Sequence, residues 1–241
     1  MKKPQDYLVF PLDVPSYEEA IKNVELLKDY VGVFKVGLEL FVSVGPKVLE
    51  GIRERCEADI FLDLKFHDIP ATVKSAFMAA SAYGVAFTTV HCDEGEDLLR
   101  AVVNNNPSGT KILAVTVLTS LGPDNIKKLG YKDIYINDIS ELVILKARIA
   151  KEAGCSGVVC SGLEIEKVKA ELGNDFIVVT PGIRPAWSAV GKDDQKRIIT
   201  PYQAIKKGAD YIVVGRPIRA AEKPIEAAKK VLGEIETAIS E

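Results

Sequence analysis

Short apolar runs alternate with amphipathic segments along the whole chain. The runs are rich in Val, Ile and Phe, which favour strands, and the segments between them carry apolar residues at helical spacing. Eight strands are predicted, at residues 7–13, 33–37, 59–65, 87–91, 111–119, 157–161, 176–184 and 210–217. Eight strand-then-helix units in one run indicate an α/β fold, a single (β/α)8 TIM barrel, with one domain spanning residues 1–241.

Helix signals follow the strands. The first helix is expected to begin near Ser16, where Glu18 and Glu19 supply acidic residues to a first turn. Further helices are predicted at residues 46–55, 71–83, 140–153, 163–172, 201–207 and 224–239, another ends near residue 104, and a longer connection contains residues 124–131. An open doubly wound sheet is the structural alternative, but its usual Gly-x-Gly-x-x-Gly turn is absent after the first strand.

Composition and charge argue against several classes of function. Of 241 residues, 47% are hydrophobic and 27% charged, and the net charge is −3. No apolar run approaches the roughly 20 residues that span a bilayer, and no basic stripe indicates nucleic-acid binding. The four cysteines have neither Cys-x-x-Cys nor zinc spacing, and there are only two histidines. Buried free thiols, no transition metal and a cytoplasmic location are therefore expected.

Residues 61–70 carry the densest candidate chemistry. Side chains in a strand alternate between two faces, so Asp63 and Lys65 point one way and Leu64 the other. Asp68 follows where the strand should end, so a second carboxylate is expected near the same ammonium. An Asp-x-Lys pair is more often solvent-facing on an antiparallel sheet, but a parallel sheet covered by helices leaves no wet face. A catalytic ion cluster is therefore predicted.

Charged and hydroxyl side chains recur at the carboxyl ends of six predicted strands. These residues are Asp13, Lys35, Asp63, Lys65, Thr119, Arg184 and Arg216. Because active sites of (β/α)8 barrels lie at that rim, the convergence predicts one site there.

The last two strands are followed by a candidate phosphate site. Barrel enzymes commonly bind phosphate with the loops after strands seven and eight, and here those loops contain Gly182 and Gly215, where backbone N–H groups can approach an anion. Arg216 adds a forked donor. Either loop alone reads as an ordinary turn, but both together favour a phosphate monoester. The segment 184–199, with Gln195, is long enough to close over such a ligand.

Two reaction types are candidates for a lysine among carboxylates: Schiff-base formation and proton transfer. Schiff-base chemistry requires a neutral amine, which neighbouring Asp residues disfavour. A charged Lys65 between Asp63 and Asp68 is better suited to deliver a proton to a carbanion. Decarboxylation followed by protonation therefore fits best.

The chain resembles the orotidine 5′-phosphate decarboxylase family, in its bacterial form, along its whole length. The matching elements are Asp13, Phe34-Lys35-Val-Gly37, Phe61-Leu-Asp63-Leu-Lys65-Phe-His-Asp68-Ile-Pro-Ala-Thr72, Val117-Leu-Thr119-Ser120, Thr180-Pro-Gly-Ile-Arg184-Pro and Gly215-Arg216-Pro. The Asp-x-Lys-x-x-Asp element also occurs in a sister group that includes the magnesium-dependent 3-keto-L-gulonate 6-phosphate decarboxylase, which has an acidic metal ligand on strand two. Lys35 stands there in this chain, which favours the metal-free enzyme.

The resemblance implies conversion of orotidine 5′-monophosphate (OMP) to uridine 5′-monophosphate (UMP) and CO2, the last step of de novo pyrimidine nucleotide synthesis, with no cofactor or metal. Lys65 would protonate C6 of the pyrimidine, Asp63 would lie nearest the departing carboxylate, and Lys35 and Asp68 would complete an alternating charge network. The implied substrate-binding residues are Asp13, Lys35, Asp63, Ile69, Thr72, Thr119, Arg184, Gln195, Gly215 and Arg216.

The resemblance also implies a homodimer, because Asp68 and Thr72 reach the neighbouring subunit's site in the family. His91 is expected to be structural at the barrel rim, and His67 to pack outside the site. Three alternatives remain: the magnesium-dependent sister decarboxylase, a Schiff-base aldolase and a non-catalytic nucleotide-binding barrel. Neither nucleic acid nor a membrane is expected as a partner.

Overall fold

Eight parallel strands form a closed barrel, in which each strand pairs with the next and the eighth pairs with the first. The computed structural model describes residues 2–188 and 197–241. The strands are β1 Leu8–Pro11, β2 Val33–Gly37, β3 Asp59–Phe66, β4 Phe87–His91, β5 Lys111–Val115, β6 Gly157–Val159, β7 Ile177–Thr180 and β8 Tyr211–Val213. The predicted (β/α)8 barrel is confirmed.

Helices surround the barrel. They are α1 Tyr17–Leu27, α2 Leu38–Val44, α3 Lys47–Arg53, α4 Pro70–Ser81, α5 Glu96–Val103, α6 Pro123–Lys128, α7 Asp133–Asn137, α8 Ile139–Glu152, α9 Ile165–Leu172, α10 Pro201–Lys206, α11 Arg216–Arg219 and α12 Pro224–Ser240, with a 3₁₀ helix at Pro4–Tyr7. Ser16 caps α1 as predicted, because its hydroxyl accepts a hydrogen bond from the Glu19 N–H at 3.3 Å. None of the described helices is both long and apolar enough to cross a membrane.

The structure differs from the predicted elements in two ways. Strands β1, β5, β6, β7 and β8 are shorter than predicted, because residues after them leave the sheet and line a cavity. Helix α2 and the short helices α6, α7 and α11 were not predicted. The sequence pattern did not indicate helix α2 because its apolar residues do not form one buried stripe: Val42 is 81% and Leu38 is 53% exposed.

The alternation of side chains within strands separates two apolar cores. Residues on one face of the strands form a buried cluster inside the barrel: Val9, Val33, Phe61, Phe87, Leu113 and Val179. The other face packs outward against the helices, as Leu8, Phe10 and Phe34 do. Inside the barrel the Phe87 ring meets Phe61 at 5.9 Å and Tyr211 at 5.0 Å between centroids. This aromatic floor closes the barrel beneath the polar residues at the carboxyl ends.

All four cysteines are free, as predicted. Cys92, Cys155 and Cys160 are buried, and Cys56 is half-buried. Burial raises the pKa of the Cys155 thiol to about 12. The buried thiols therefore contribute to packing and are poor nucleophiles at neutral pH.

Candidate active site

A cavity of about 410 Å³ opens at the carboxyl ends of the strands. The residues predicted from six strands all line it: Asp13, Lys35, Asp63, Lys65, Thr119, Arg184 and Arg216. Apolar strand residues form its inner wall: Phe61, Val115, Val159, Val179 and Val213. The volume is in the range of small-ligand pockets, about 300–1,000 Å³.

Four charged side chains form an alternating row on one side of this cavity. The Lys35 ammonium lies 3.3 Å from Asp13 Oδ1 and 3.3 Å from Asp63 Oδ2. The Lys65 ammonium lies 2.8 Å from the same Asp63 Oδ2. The resulting charge row, Asp13–Lys35–Asp63–Lys65, alternates sign at every step.

Strand register produces the charge row. Pro11 pairs with Lys35 and Gly37 pairs with Asp63, so parallel neighbours bring side chains from three strands to one level. Gly37 leaves the necessary space, because a Cβ there would lie 3.1 Å from the Lys35 ammonium and 3.3 Å from Asp13 Oδ1. A side chain at this position would therefore press on both partners of the Lys35–Asp13 ion pair.

The inner charges of the row stabilise one another in a poorly hydrated place. Burial raises the pKa of Asp63, but the ammonium groups of Lys35 and Lys65 and two hydrogen bonds outweigh it, so the net pKa is lowered. Burial lowers the pKa of Lys35, but the carboxylates of Asp63 and Asp13 outweigh it and the net pKa is raised. Both groups are therefore charged at neutral pH.

Lys65 lies in a distorted part of β3. Pairing with β4 shifts register between Leu62 and Phe66. Among the described non-glycine residues, Lys65 alone has a positive φ, of 49°. Such a backbone costs free energy for a residue with a Cβ, and strain of this kind clusters at functional sites. From this distorted backbone the Lys65 ammonium contacts Asp63 Oδ2 at 2.8 Å.

Asp68 does not lie beside Lys65 within the chain, contrary to the expectation from their spacing. Asp68 is exposed, and its carboxylate accepts a hydrogen bond from the Ile69 N–H at 2.7 Å. No ion pair joins Asp68 to Lys65 in the described ranges 2–188 and 197–241. The chain leaves the barrel at this point: Ile69 caps α4, and Ile69 and Thr72 are also exposed and outside the cavity lining.

The loops after β7 and β8 form another side of the cavity, next to β1. Gly182 has a φ of 76°, a left-handed backbone that favours glycine. A Cβ at Gly215 would lie 2.8 Å from Cγ of Pro11, so only glycine lets this loop approach β1. Arg184 and Arg216 line the same side, and Arg184 Nη1 donates to the Ile183 carbonyl at 2.8 Å. This geometry suits a phosphate group.

Several lining residues were missed from sequence. Arg219 lines the cavity and donates to the Asp13 carbonyl. The sequence could have indicated Arg219, because it lies one helical turn after Arg216. Thr89, which does not line the cavity but contacts Asp63 and Lys65, was also missed, since a threonine inside a strand has no distinctive pattern. Gln195, predicted to bind substrate, lies outside the described residues.

Both histidines lie away from the charge row. His91 Nδ1 is 2.9 Å from Asp93 Oδ2, and the His67 ring stacks on it with centroids 5.0 Å apart. His67 also pairs with Glu94. Neither lines the cavity, in agreement with their predicted position outside the catalytic residues. Within the described ranges, no group of three or more His, Cys, Asp or Glu side chains is arranged to hold a metal ion.

The sequence and fold of this chain are similar to those of known proteins of one family. The model of the Orotidine 5'-phosphate decarboxylase / HUMPS family matches residues 6–231. An orotidine 5'-phosphate decarboxylase of Desulfosudis oleivorans is 49% identical over 99% of this chain and 96% of that protein. One of Gloeothece citriformis is 45% identical over 95% and 97%. The crystal structure of the Lactobacillus acidophilus orotidine 5'-phosphate decarboxylase has a TM-score of 0.81 at 35% identity, over 95% and 98% of the two chains.

Proposed function

The chain belongs to the Orotidine 5'-phosphate decarboxylase / HUMPS family, and we propose that it converts OMP to UMP and CO2 as the last step of de novo pyrimidine nucleotide synthesis. One observation carries the proposal. The cavity has an alternating row of two carboxylates and two ammonium groups on one side, and glycine loops with two arginines on another. A phosphorylated substrate that loses a carboxylate and gains a proton needs both sides.

The phosphate side supplies binding energy. The backbone at Gly182 and Gly215, together with Arg184 and Arg216, binds the phosphate of OMP. These groups do not touch the reacting carbon, so they hold the substrate in position without taking part in the chemistry. We also propose that Gln195, which lies outside the described residues, bridges the phosphate and the base.

The charge row carries out the reaction. The scissile carboxylate of OMP faces Asp63, whose ionised form disfavours a second anion nearby. After CO2 departs, the Lys65 ammonium, 2.8 Å from Asp63 Oδ2, protonates C6. Lys35 and Asp13 bind the ribose hydroxyls, and Thr119 contacts the pyrimidine ring or the ribose side of the ligand. The fixed charges require little reorganisation as the carbanion develops.

The magnesium-dependent alternative conflicts with the charge row. The Lys35 ammonium already lies within 3.3 Å of both Asp13 and Asp63. A divalent cation at those carboxylates would meet a positive charge at close range, which costs free energy in a poorly solvated cavity. We therefore propose a reaction without metal or cofactor. A Schiff-base aldolase is disfavoured because the Lys65 amine is engaged with Asp63.

We further propose that the protein is a homodimer of single-domain subunits, each spanning residues 1–241, and that Asp68, Ile69 and Thr72 act in the partner's site. Their exposure in the single chain supports this, since Ile69 is 65% exposed beside a carboxylate that makes no intrachain ion pair within the described ranges. Leu38 and Val42, after the neighbouring strand β2, are also exposed apolar residues. The free cysteines suit a cytoplasmic location.

Subunit mixing tests the shared site. Lys65→Ala and Asp68→Ala variants are each expected to be inactive as pure proteins. If each site takes Lys65 from one subunit and Asp68 from the other, a hybrid dimer has one site with both changes and one intact site. Mixing after mild dissociation should then restore activity. Failure to restore activity in hybrids, shown to form by mass spectrometry, would contradict the shared site.

The function itself is tested by the loss of OMP ultraviolet absorbance in excess EDTA. The native protein should convert OMP to UMP, identified by chromatography, and Lys65→Ala should not. The matched control is Lys22→Ala, a surface lysine on α1, which should leave the rate unchanged. A flat trace with the native protein would refute the proposed function. Activity that appears only with added Mg²⁺ and a sugar phosphate substrate would favour the sister decarboxylase.

A further inference from the structure

Thr89 links the two central charged residues from behind the cavity. Its hydroxyl donates to Asp63 Oδ1 at 2.9 Å and accepts from the Lys65 backbone N–H at 2.9 Å. Thr89 is fully buried, and it is not among the described residues that line the cavity. We propose that Thr89 is a positioning residue for the decarboxylation, which sets the orientation of the Asp63 carboxylate and the Lys65 backbone. This inference rests on the proposed function.

The register shift between β3 and β4 explains why this link is needed. Leu62 pairs with Thr88 and Phe66 with Val90, so β3 advances four residues while β4 advances two. Residues 63–65 therefore face Thr89 across the bulge. In a regular ladder the Lys65 N–H would donate to a backbone carbonyl. Here it donates to the Thr89 hydroxyl, which holds Lys65 in its left-handed backbone, at φ 49°.

Hydrogen-bond chemistry fixes the direction of the second contact. A threonine hydroxyl has one proton, and a backbone N–H can only donate. Because Thr89 Oγ1 accepts from Lys65, its single proton is directed to Asp63 Oδ1, which accepts as a carboxylate. Asp63 Oδ2 is then left for both ammonium groups. The torsion that rotates a carboxylate is soft, so a fixed Oδ1 determines where Oδ2 points.

The neighbouring Thr88 provides a matched control. It is also fully buried, and its hydroxyl donates to the Leu62 carbonyl at 3.0 Å, so it too links β4 to β3. It contacts neither Asp63 nor Lys65 through a described hydrogen bond. If Thr89 served only to join two strands, loss of either hydroxyl would have the same consequence.

Steady-state kinetics with OMP separate the two roles. Thr89→Val keeps the shape but loses the hydroxyl, and kcat should fall about 10- to 100-fold with KM changed less than about 3-fold, because the phosphate side is untouched. Thr89→Ser should restore kcat to within about 3-fold of native, and Thr88→Val should leave it near native. The acid limb of the kcat profile should move to higher pH in Thr89→Val only, since the ionised Asp63 loses a hydrogen bond.

Several outcomes would overturn the proposal. Native kcat in Thr89→Val would do so, and so would equal losses of kcat in Thr88→Val and Thr89→Val. If Thr89→Val does not fold, Thr89→Cys, with a weak donor, replaces it and the same loss of kcat is expected. An inactive native protein would refute the proposed function instead. Crystal structures then test Thr89 alone: a Lys65–Asp63 contact unchanged from native in Thr89→Val would contradict it.

Discussion

Replacing Lys65 by alanine and by glycine separates its chemical role from its backbone strain. Both variants remove the ammonium group that lies 2.8 Å from Asp63 Oδ2. Both should therefore lose the proton donor, and kcat should fall at least about 10²- to 10⁴-fold, the usual contribution of a positioned acid. The two variants differ only in whether a Cβ is present at φ 49°.

The expected stability difference follows from that backbone angle. A residue with a Cβ pays roughly 1–2 kcal/mol in the left-handed region, which glycine avoids. Glycine in turn loses about 0.4–1 kcal/mol through the greater freedom of its unfolded chain. Lys65→Gly should therefore be more stable to unfolding than Lys65→Ala by about 0.5–1 kcal/mol.

Urea denaturation of the two variants, followed by circular dichroism, measures this difference, and OMP absorbance measures the activity. The reasoning on strain is refuted if Lys65→Ala is at least as stable as Lys65→Gly. The catalytic assignment is refuted if either variant keeps more than about a tenth of the native kcat, because loss of a proton donor should lower the rate at least about 10²-fold.

Three further predictions concern the phosphate side, the buried carboxylate and the thiols. Gly215→Ala places a Cβ 2.8 Å from Cγ of Pro11, so unfolding free energy should fall by about 1–3 kcal/mol and KM for OMP should rise about 10-fold; an unchanged KM would contradict the assignment. The pKa of Asp63 is lowered in the folded protein, so Asp63 takes up a proton at higher pH in the unfolded chain than in the folded one. The free energy of unfolding of the native protein should therefore exceed that of Asp63→Asn by less and less below about pH 4. A difference that widens on acidification would contradict this. A thiol reagent should label Cys56 in the native protein and the other cysteines only after denaturation, as mass spectrometry can show, because three are buried.

Much of the site could be predicted because strands alternate and barrels place their active sites at one rim. Asp63 and Lys65 share a face in any regular strand, and the carboxyl-end positions of Asp13, Lys35 and Arg216 follow from where each apolar run stops. These are local properties, readable from neighbours in the chain. The resemblance to a known family then attached a reaction to the residues.

Other features depended on contacts between distant parts of the chain. Asp68 was expected beside Lys65 from a spacing of three residues, but the chain turns outward there and leaves Asp68 exposed. Arg219 reaches the Asp13 carbonyl from the far end of the sequence. The bulge at Lys65 depends on the register with β4, where Thr89 supplies the partner.

The sequence by itself determined the eight strand-helix units, the face on which each polar side chain lies, and the glycines that admit close backbone approach. Only the tertiary structure decided which charges meet: barrel closure and strand register bring the carboxylates of Asp13 and Asp63 each to 3.3 Å from the Lys35 ammonium. The physical reason is that periodicity is a property of neighbouring residues. Ion-pair distances depend instead on the offset between strands far apart in sequence, which packing of the whole barrel selects.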